Sequence, residues 1–174
     1  FVLIGMTGLS KVIVDVNMAN FFRPGTEIRD TMDFMDNKMT GTVDIRVRVE
    51  GDMKDPQTLS SMRTLQNSME KNEKVITSFS ISNVVEQMHR TVMDDDPKFE
   101  IVPDRRDKVN NLFTMYSMSG DPDDFSSLVD YDYKVGLITA FSKVMTTKEI
   151  FAYSDYLVDV MTAHIDQERQ KKVN

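Results

Sequence analysis

In the stretch YSMSGDPDDFSSLVDYDYKVGLITAF, residues 116–141, five aspartates (Asp121, Asp123, Asp124, Asp130 and Asp132) precede a nearly uncharged run. Clustered carboxylates can bind a hard cation, which needs converging oxygen ligands. An EF-hand loop also needs ligands at its first, third, fifth and twelfth positions and a glycine at the sixth. Counted from Asp121, the first, third and twelfth positions are Asp121, Asp123 and Asp132, but the fifth is Phe125 and the sixth Ser126. The template fails. A looser divalent site would have to bring Asp94–Asp96 onto Asp121–Asp124. Paired carboxylates could also do acid–base work, provided burial raised the pKa of one of them. Adjacent aspartates at turns are ordinarily hydrated, and SGDPDDF suits a turn. Gly120 is expected to relieve φ, Pro122 to fix it, and an aspartate to cap a short helix over 123–128.

The other chemistry-bearing residues are sparse. His89 and His164 lack the spacing that puts two imidazoles on one helix face. There is no Gly-x-Ser-x-Gly elbow, phosphate loop or dinucleotide fingerprint. The absence of cysteine excludes disulfides, thiolate zinc sites and thiol nucleophiles. No metal, cofactor or catalytic residue is expected. The fourteen methionines fall mainly on apolar stripes, as core filler or as an adaptable surface for varied apolar ligands.

Composition bounds the rest. The 174 residues are 40% hydrophobic and 28% charged, the balance of one folded domain. Of the net charge of −7, residues 94–132 carry the whole excess, with eleven acidic side chains against four basic ones. No basic stripe exists to hold phosphates, so nucleic acid is not an expected partner. The longest apolar run is Phe1–Ile4, far short of the roughly 20 residues of a membrane span. The chain starts at Phe1 without a secretory signal pattern and reads as a piece of a longer protein, with 1–8 a remnant of a membrane helix end or linker and 9–174 one domain.

Strands are expected over 9–16 (LSKVIVDV), 41–51 (GTVDIRVRVEG), 74–81 and 134–143. In the second, Val43, Ile45, Val47 and Val49 alternate with Thr42, Asp44, Arg46 and Arg48, giving one buried and one wet face. Helices are expected after Thr26, from Asp55-Pro56, from Ser82, after Asp104, and over 147–170 behind a Thr146/Glu149 capping box. Their stripes are Ile28/Met32/Met35/Met39, Leu59/Met62/Leu65/Met69, Val85/Met88/Val92, Val109/Leu112/Phe113/Tyr116 and Ile150/Leu157/Met161/Ile165. The order β-α-β-α-β-α-α-β-α indicates an α+β fold. An open antiparallel or mixed sheet would have helices on one face, in a ferredoxin-like (β-α-β-β-α-β) arrangement. The last strand of that core would lie beyond Asn174 or be supplied by residues 9–16.

Several stretches together resemble an extracytoplasmic loop domain of RND-superfamily exporters, in their MMPL-like branch. They are VIVDVNMANFFRPGTEIRDTMDFMDNKM, the Gly41–Gly51 strand, the Asp55–Met69 helix (DPQTLSSMRTLQNSM), VITSFSISNVV, IVPDRRDKVNNLF and SGDPDDFSSLVDYDY. The resemblance covers most of the chain and rests on packing and turn patterns, with the second large loop the better match. It implies a porter-type subdomain on the periplasmic side of the cytoplasmic membrane, within an integral membrane protein driven by protons. Partners would be the transmembrane helices and the second extracytoplasmic domain of the same parent chain. Hydrophobic or lipid-like substrates would pass as such subdomains shift as rigid bodies. Phe21, Phe22, Met115 and Met118 are the expected substrate- or partner-facing residues. A free-standing protein-binding adaptor domain is the alternative, and a metal-dependent hydrolase using the aspartates a third.

Overall fold

The computed structural model describes residues 16–173, leaving aside the side chains at 18, 119, 122 and 165–173; the strand expected over 9–16 lies, but for Val16, outside the described residues. Three strands, β1 (Val43–Glu50), β2 (Val75–Phe79) and β3 (Val135–Ser142), form an antiparallel sheet in the order β1-β3-β2. Among the described residues, five α-helices accompany them: α1 (Glu27–Lys38), α2 (Pro56–Met69), α3 (Ile81–Val92), α4 (Arg106–Ser119) and α5 (Thr147–Val173). The fold is α+β with an open sheet. Because β1 and β2 both pair with β3, they run parallel to each other with β3 between them. That is the split β-α-β unit of a ferredoxin-like core. Two helices, α3 and α4, replace the usual tight connection between β2 and β3.

Pairing follows from sequence pattern. β1 runs in unbroken register against β3, from Val43 opposite Ser142 to Glu50 opposite Val135. Val43, Ile45, Val47 and Val49 therefore share a face with Ser142, Ala140, Ile138 and Gly136, and this face carries the helices. Asp44, Arg46, Arg48 and Glu50 stay exposed on the opposite face. β2 is short, with an irregularity between Val75 and Thr77. β3 is fully buried at alternate positions and half-buried at the others, as its central place requires.

The core lies between the sheet and α2, α3, α4 and α5. Met53, Leu59, Met62, Met69, Ile81, Val85, Val109, Ile138 and Ala140 are almost completely withdrawn from solvent. Burying side chains of this size stabilises by about 1.5–3 kcal/mol each. Gly136 leaves room for this packing, since a Cβ there would come within 2.7 Å of the Met53 sulfur. Methionine thus fills the middle of the core at Met53, Met62 and Met69, whereas Met39, Met115 and Met118 lie exposed.

Helix starts or their caps differ from expectation in places, and Asp55, which precedes α2 as expected, makes no side-chain cap bond. α3 begins one residue earlier, at Ile81, because Ser80 caps it: the Ser82 N–H donates to the Ser80 hydroxyl, and Asn83 Oδ1 accepts from the Ser80 N–H. Thr26 precedes α1 but donates its hydroxyl back to the Arg23 carbonyl. Asp104 accepts from Lys108 at 2.6 Å, and Arg105 occupies the cap of α4. The Thr146/Glu149 box stands as read: Glu149 Oε2 accepts the Thr146 N–H at 2.8 Å, and the Thr146 hydroxyl accepts the Glu149 N–H at 3.3 Å.

Candidate functional site

The acidic stretch is a turn structure held by its own aspartates. Asp121 caps a 3-10 turn over Pro122–Phe125 by accepting the Asp123 N–H at 3.0 Å. Asp124 accepts the Tyr116 hydroxyl at 2.5 Å, which raises the Tyr116 pKa. Asp130 accepts the N–H groups of Val135 and Lys134 at 2.8 and 2.7 Å, and both bonds hold its carboxyl below the usual carboxylate range. The helix expected over 123–128 is this shorter 3-10 turn. Gly120 has φ −120°, so it does not relieve backbone strain. Its role is steric: a Cβ would sit 2.7 Å from the Tyr116 ring. Among the described residues, no group of three or more His, Cys, Asp or Glu side chains could hold a metal ion.

Phe21, Phe22, Met115 and Met118 are all exposed, at 73%, 37%, 51% and 83%, so each could meet a partner. Phe21 ends a 3-10 turn ahead of α1, whereas Met115 and Met118 lie on α4. The expected apolar stripe of α1 is not a core stripe. None of its residues is buried, and Ile28, Phe34 and Met39 are exposed. The helix is tied down by polar contacts instead: Asp36 accepts the Val144 N–H at 2.9 Å and also bonds the Thr42 hydroxyl.

A second feature escaped the sequence reading. A groove of about 480 Å³ opens between β1, α2 and α5. Val49, Met62, Leu65, Val160 and Met161 give it an apolar floor, and Arg48, Glu50, Asp55 and His164 stand along its rim. His164 Nε2 lies 2.9 Å from the Ser61 hydroxyl there. A serine–histidine contact can serve as nucleophile and base when a third group orients the ring. Here the neighbouring carboxylates are engaged elsewhere: Glu50 pairs with Arg48 and Asp55 accepts from Thr58 at 3.4 Å. The contact joins α5 to α2. His89, for its part, bonds the Ile101 carbonyl at 2.8 Å and meets Phe99 edge-on. The signal for the groove was present in the Leu59/Met62/Leu65 stripe of α2 and the Met161 end of α5, but only the fold shows that they meet beside β1.

Half-buried apolar side chains also line the sheet face opposite the helices. Val135, Leu137 and Phe141 project there from β3, beside exposed Phe79 of β2 and the exposed charges of β1. No described helix is long and apolar enough to cross a membrane. Comparisons with protein-family models, curated proteins and solved structures return no match.

Proposed function

We propose that this chain is the extracytoplasmic, porter-type domain of a proton-driven exporter of the RND superfamily, in its MMPL-like branch, bounding the passage of a hydrophobic or lipid-like molecule. The observation that carries the reading is topological. The Gly41–Gly51 strand, the Asp55–Met69 helix and the strand of VITSFSISNVV, all recognised by resemblance, correspond to β1, α2 and β2 of one split β-α-β unit. The domain works by shape and makes or breaks no bonds. Its sheet face bearing Phe79, Leu137 and Phe141 meets the second extracytoplasmic domain of the parent chain, and Phe21, Phe22, Met115 and Met118 face the substrate or that partner.

The test uses the full-length parent chain in liposomes carrying a proton gradient and a lipophilic fluorescent substrate. Replacing Phe21, Phe22, Met115 and Met118 together by serine should slow efflux severalfold with folding and insertion unchanged. Unchanged efflux overturns the assignment of these four residues. A parent reading frame without apolar segments of about 20 residues on either side of this domain overturns the exporter reading and leaves the adaptor, which would be tested by partner capture on the same sheet face.

A further inference from the structure

Among the described residues, the outer edge of β1 has no strand beside it, since the sheet order is β1-β3-β2. Gly51 donates to the Lys134 carbonyl at 2.9 Å, and the register carries this pairing back along β1 two residues at a time. Val43, Ile45, Val47 and Val49 thus exchange their backbone hydrogen bonds with β3, and the N–H and C=O groups of Asp44, Arg46, Arg48 and Glu50 point to the other side. Natural sheets blunt such an edge by brevity, proline, a bulge or an inward-pointing charge. β1 has none of these. It runs eight residues in unbroken register, and its charges all stand on the exposed face. Directly beside it, under the helices, lies the groove floored by Val49, Met62, Leu65, Val160 and Met161.

We propose that the partner of this edge is a second copy of the chain, with the two β1 strands antiparallel about a two-fold axis at Val49 and the two sheets joined into one. Charge complementarity carries the choice. A strand paired with itself opposes each residue to one fixed by the axis, so a wrong axis sets like charges together. An axis at Val47 gives the longest overlap but opposes Asp44 to Glu50 and Arg46 to Arg48. An axis at Arg46 or at Arg48 opposes that arginine to its own copy. An axis at Ile45 pairs Asp44 with Arg46 and leaves Glu50 past the start of the other β1. An axis at Val49 pairs Arg48 with Glu50 and Arg46 with Asp52, each of them twice. Within one chain Arg48 already bonds Glu50, and Asp52 bonds Arg106 at 2.5 Å, so the new pairs extend ladders of alternating sign. The outward N–H and C=O groups of Arg48 and Glu50 exchange across the axis. Half-buried Val49 meets its copy, and the two grooves face each other as one apolar seam. The exposed sheet face stays open, and the inference is independent of the exporter reading.

The chain has no cysteine, so a single introduced thiol reports on its distance from its own copy. In the 174-residue chain, Val49→Cys sets two thiols opposite each other on the axis, within disulfide reach. The two thiols of Ile45→Cys lie about 25 Å apart in the same dimer. Mild oxidation should give the covalent dimer at least tenfold faster from Val49→Cys than from Ile45→Cys. Sedimentation equilibrium supplies a second readout that alters exposed residues only. Arg48→Glu sets like charges together across the axis and should raise the dimer dissociation constant at least tenfold. Adding Glu50→Arg returns opposite charges to each pair and should restore the constant to within about twofold. A parent chain that stays monomeric at millimolar concentration, equal oxidation rates, or a charge swap that fails to restore association would each overturn the proposal. Slow amide exchange at Arg46 and Arg48 in a monomer would do the same, because the edge would then be paired within one chain.

Discussion

Glu86 on α3 is a buried carboxyl whose pKa is raised by burial, against the pull of Arg63 at 3.4 Å and with a further push from Glu100. Below the ordinary glutamate value both folded and unfolded states hold the proton, and Glu86 contributes nothing to pH dependence. Between that value and the raised one, the folded chain keeps a proton that the unfolded chain has released. Stability is therefore lost as pH rises through this window. Glu149 has the opposite sign, because Lys74 at 2.7 Å lowers its pKa, so its contribution is lost as pH falls. Glu86→Gln isolates the first effect. The urea midpoint of the parent chain, measured relative to this variant, should rise as pH is lowered from 7 toward 4.5. A constant difference would show that Glu86 titrates normally. Such contacts were not legible beforehand: Glu86, like Asp130, reads in sequence as one more surface carboxylate until the fold sets Arg63 beside it.

At the level of elements, buried polar groups tie α2 to the β2–α3 corner. Gln66 is fully buried; its Nε2 donates to Asn83 at 2.7 Å and Ser78 at 3.2 Å, and its Oε1 accepts from Ser80 at 2.8 Å. Glu70 accepts from both the Ser78 N–H and its hydroxyl at 2.8 Å. Gln66→Leu keeps volume but strands several partners, and should cost about 2–4 kcal/mol in denaturant unfolding. A loss under about 0.5 kcal/mol would mean water replaces the amide. Gly41 offers a backbone test: it has φ +92°, and a Cβ would lie 2.2 Å from the Ser142 carbonyl oxygen. Gly41→Ala must displace the start of β1 from β3, and should lower stability by at least about 1–3 kcal/mol. Strand alternation and the Pro56 and Glu149 helix starts were readable because each is a local signal. Gln66 looked like a polar residue on an amphipathic helix, since its partners are twelve or more residues away. The stripe of the final helix holds at Leu157 and Met161 but not at its first member: Ile150 is 43% exposed, and Tyr153 takes the buried place. Its hydroxyl donates to the Met69 carbonyl at 3.1 Å, and burial pushes its pKa up to about 12.

For the whole molecule, the two faces of one sheet make different demands on the same residue types. Ile138 and Ala140 of β3 are fully buried beneath the helices, whereas Phe79, on the other face, is 42% exposed. The alternation of β1 foretold which of its sides would be wet. β3, apolar on both sides, could not reveal whether its second face meets protein or solvent, because a central strand is flanked by neighbours either way. Urea unfolding of the 174-residue chain separates the two cases. Ile138→Ala removes atoms from a packed interior and should cost about 2–5 kcal/mol. Phe79→Ser removes a ring that already touches solvent and should cost less than about 1 kcal/mol. If the two losses are equal, the second face is buried within the isolated chain, and the surface offered above to a second domain does not exist. If Phe79→Ser is mild here yet weakens association or transport in the parent protein, the ring acts across an interface rather than within this fold.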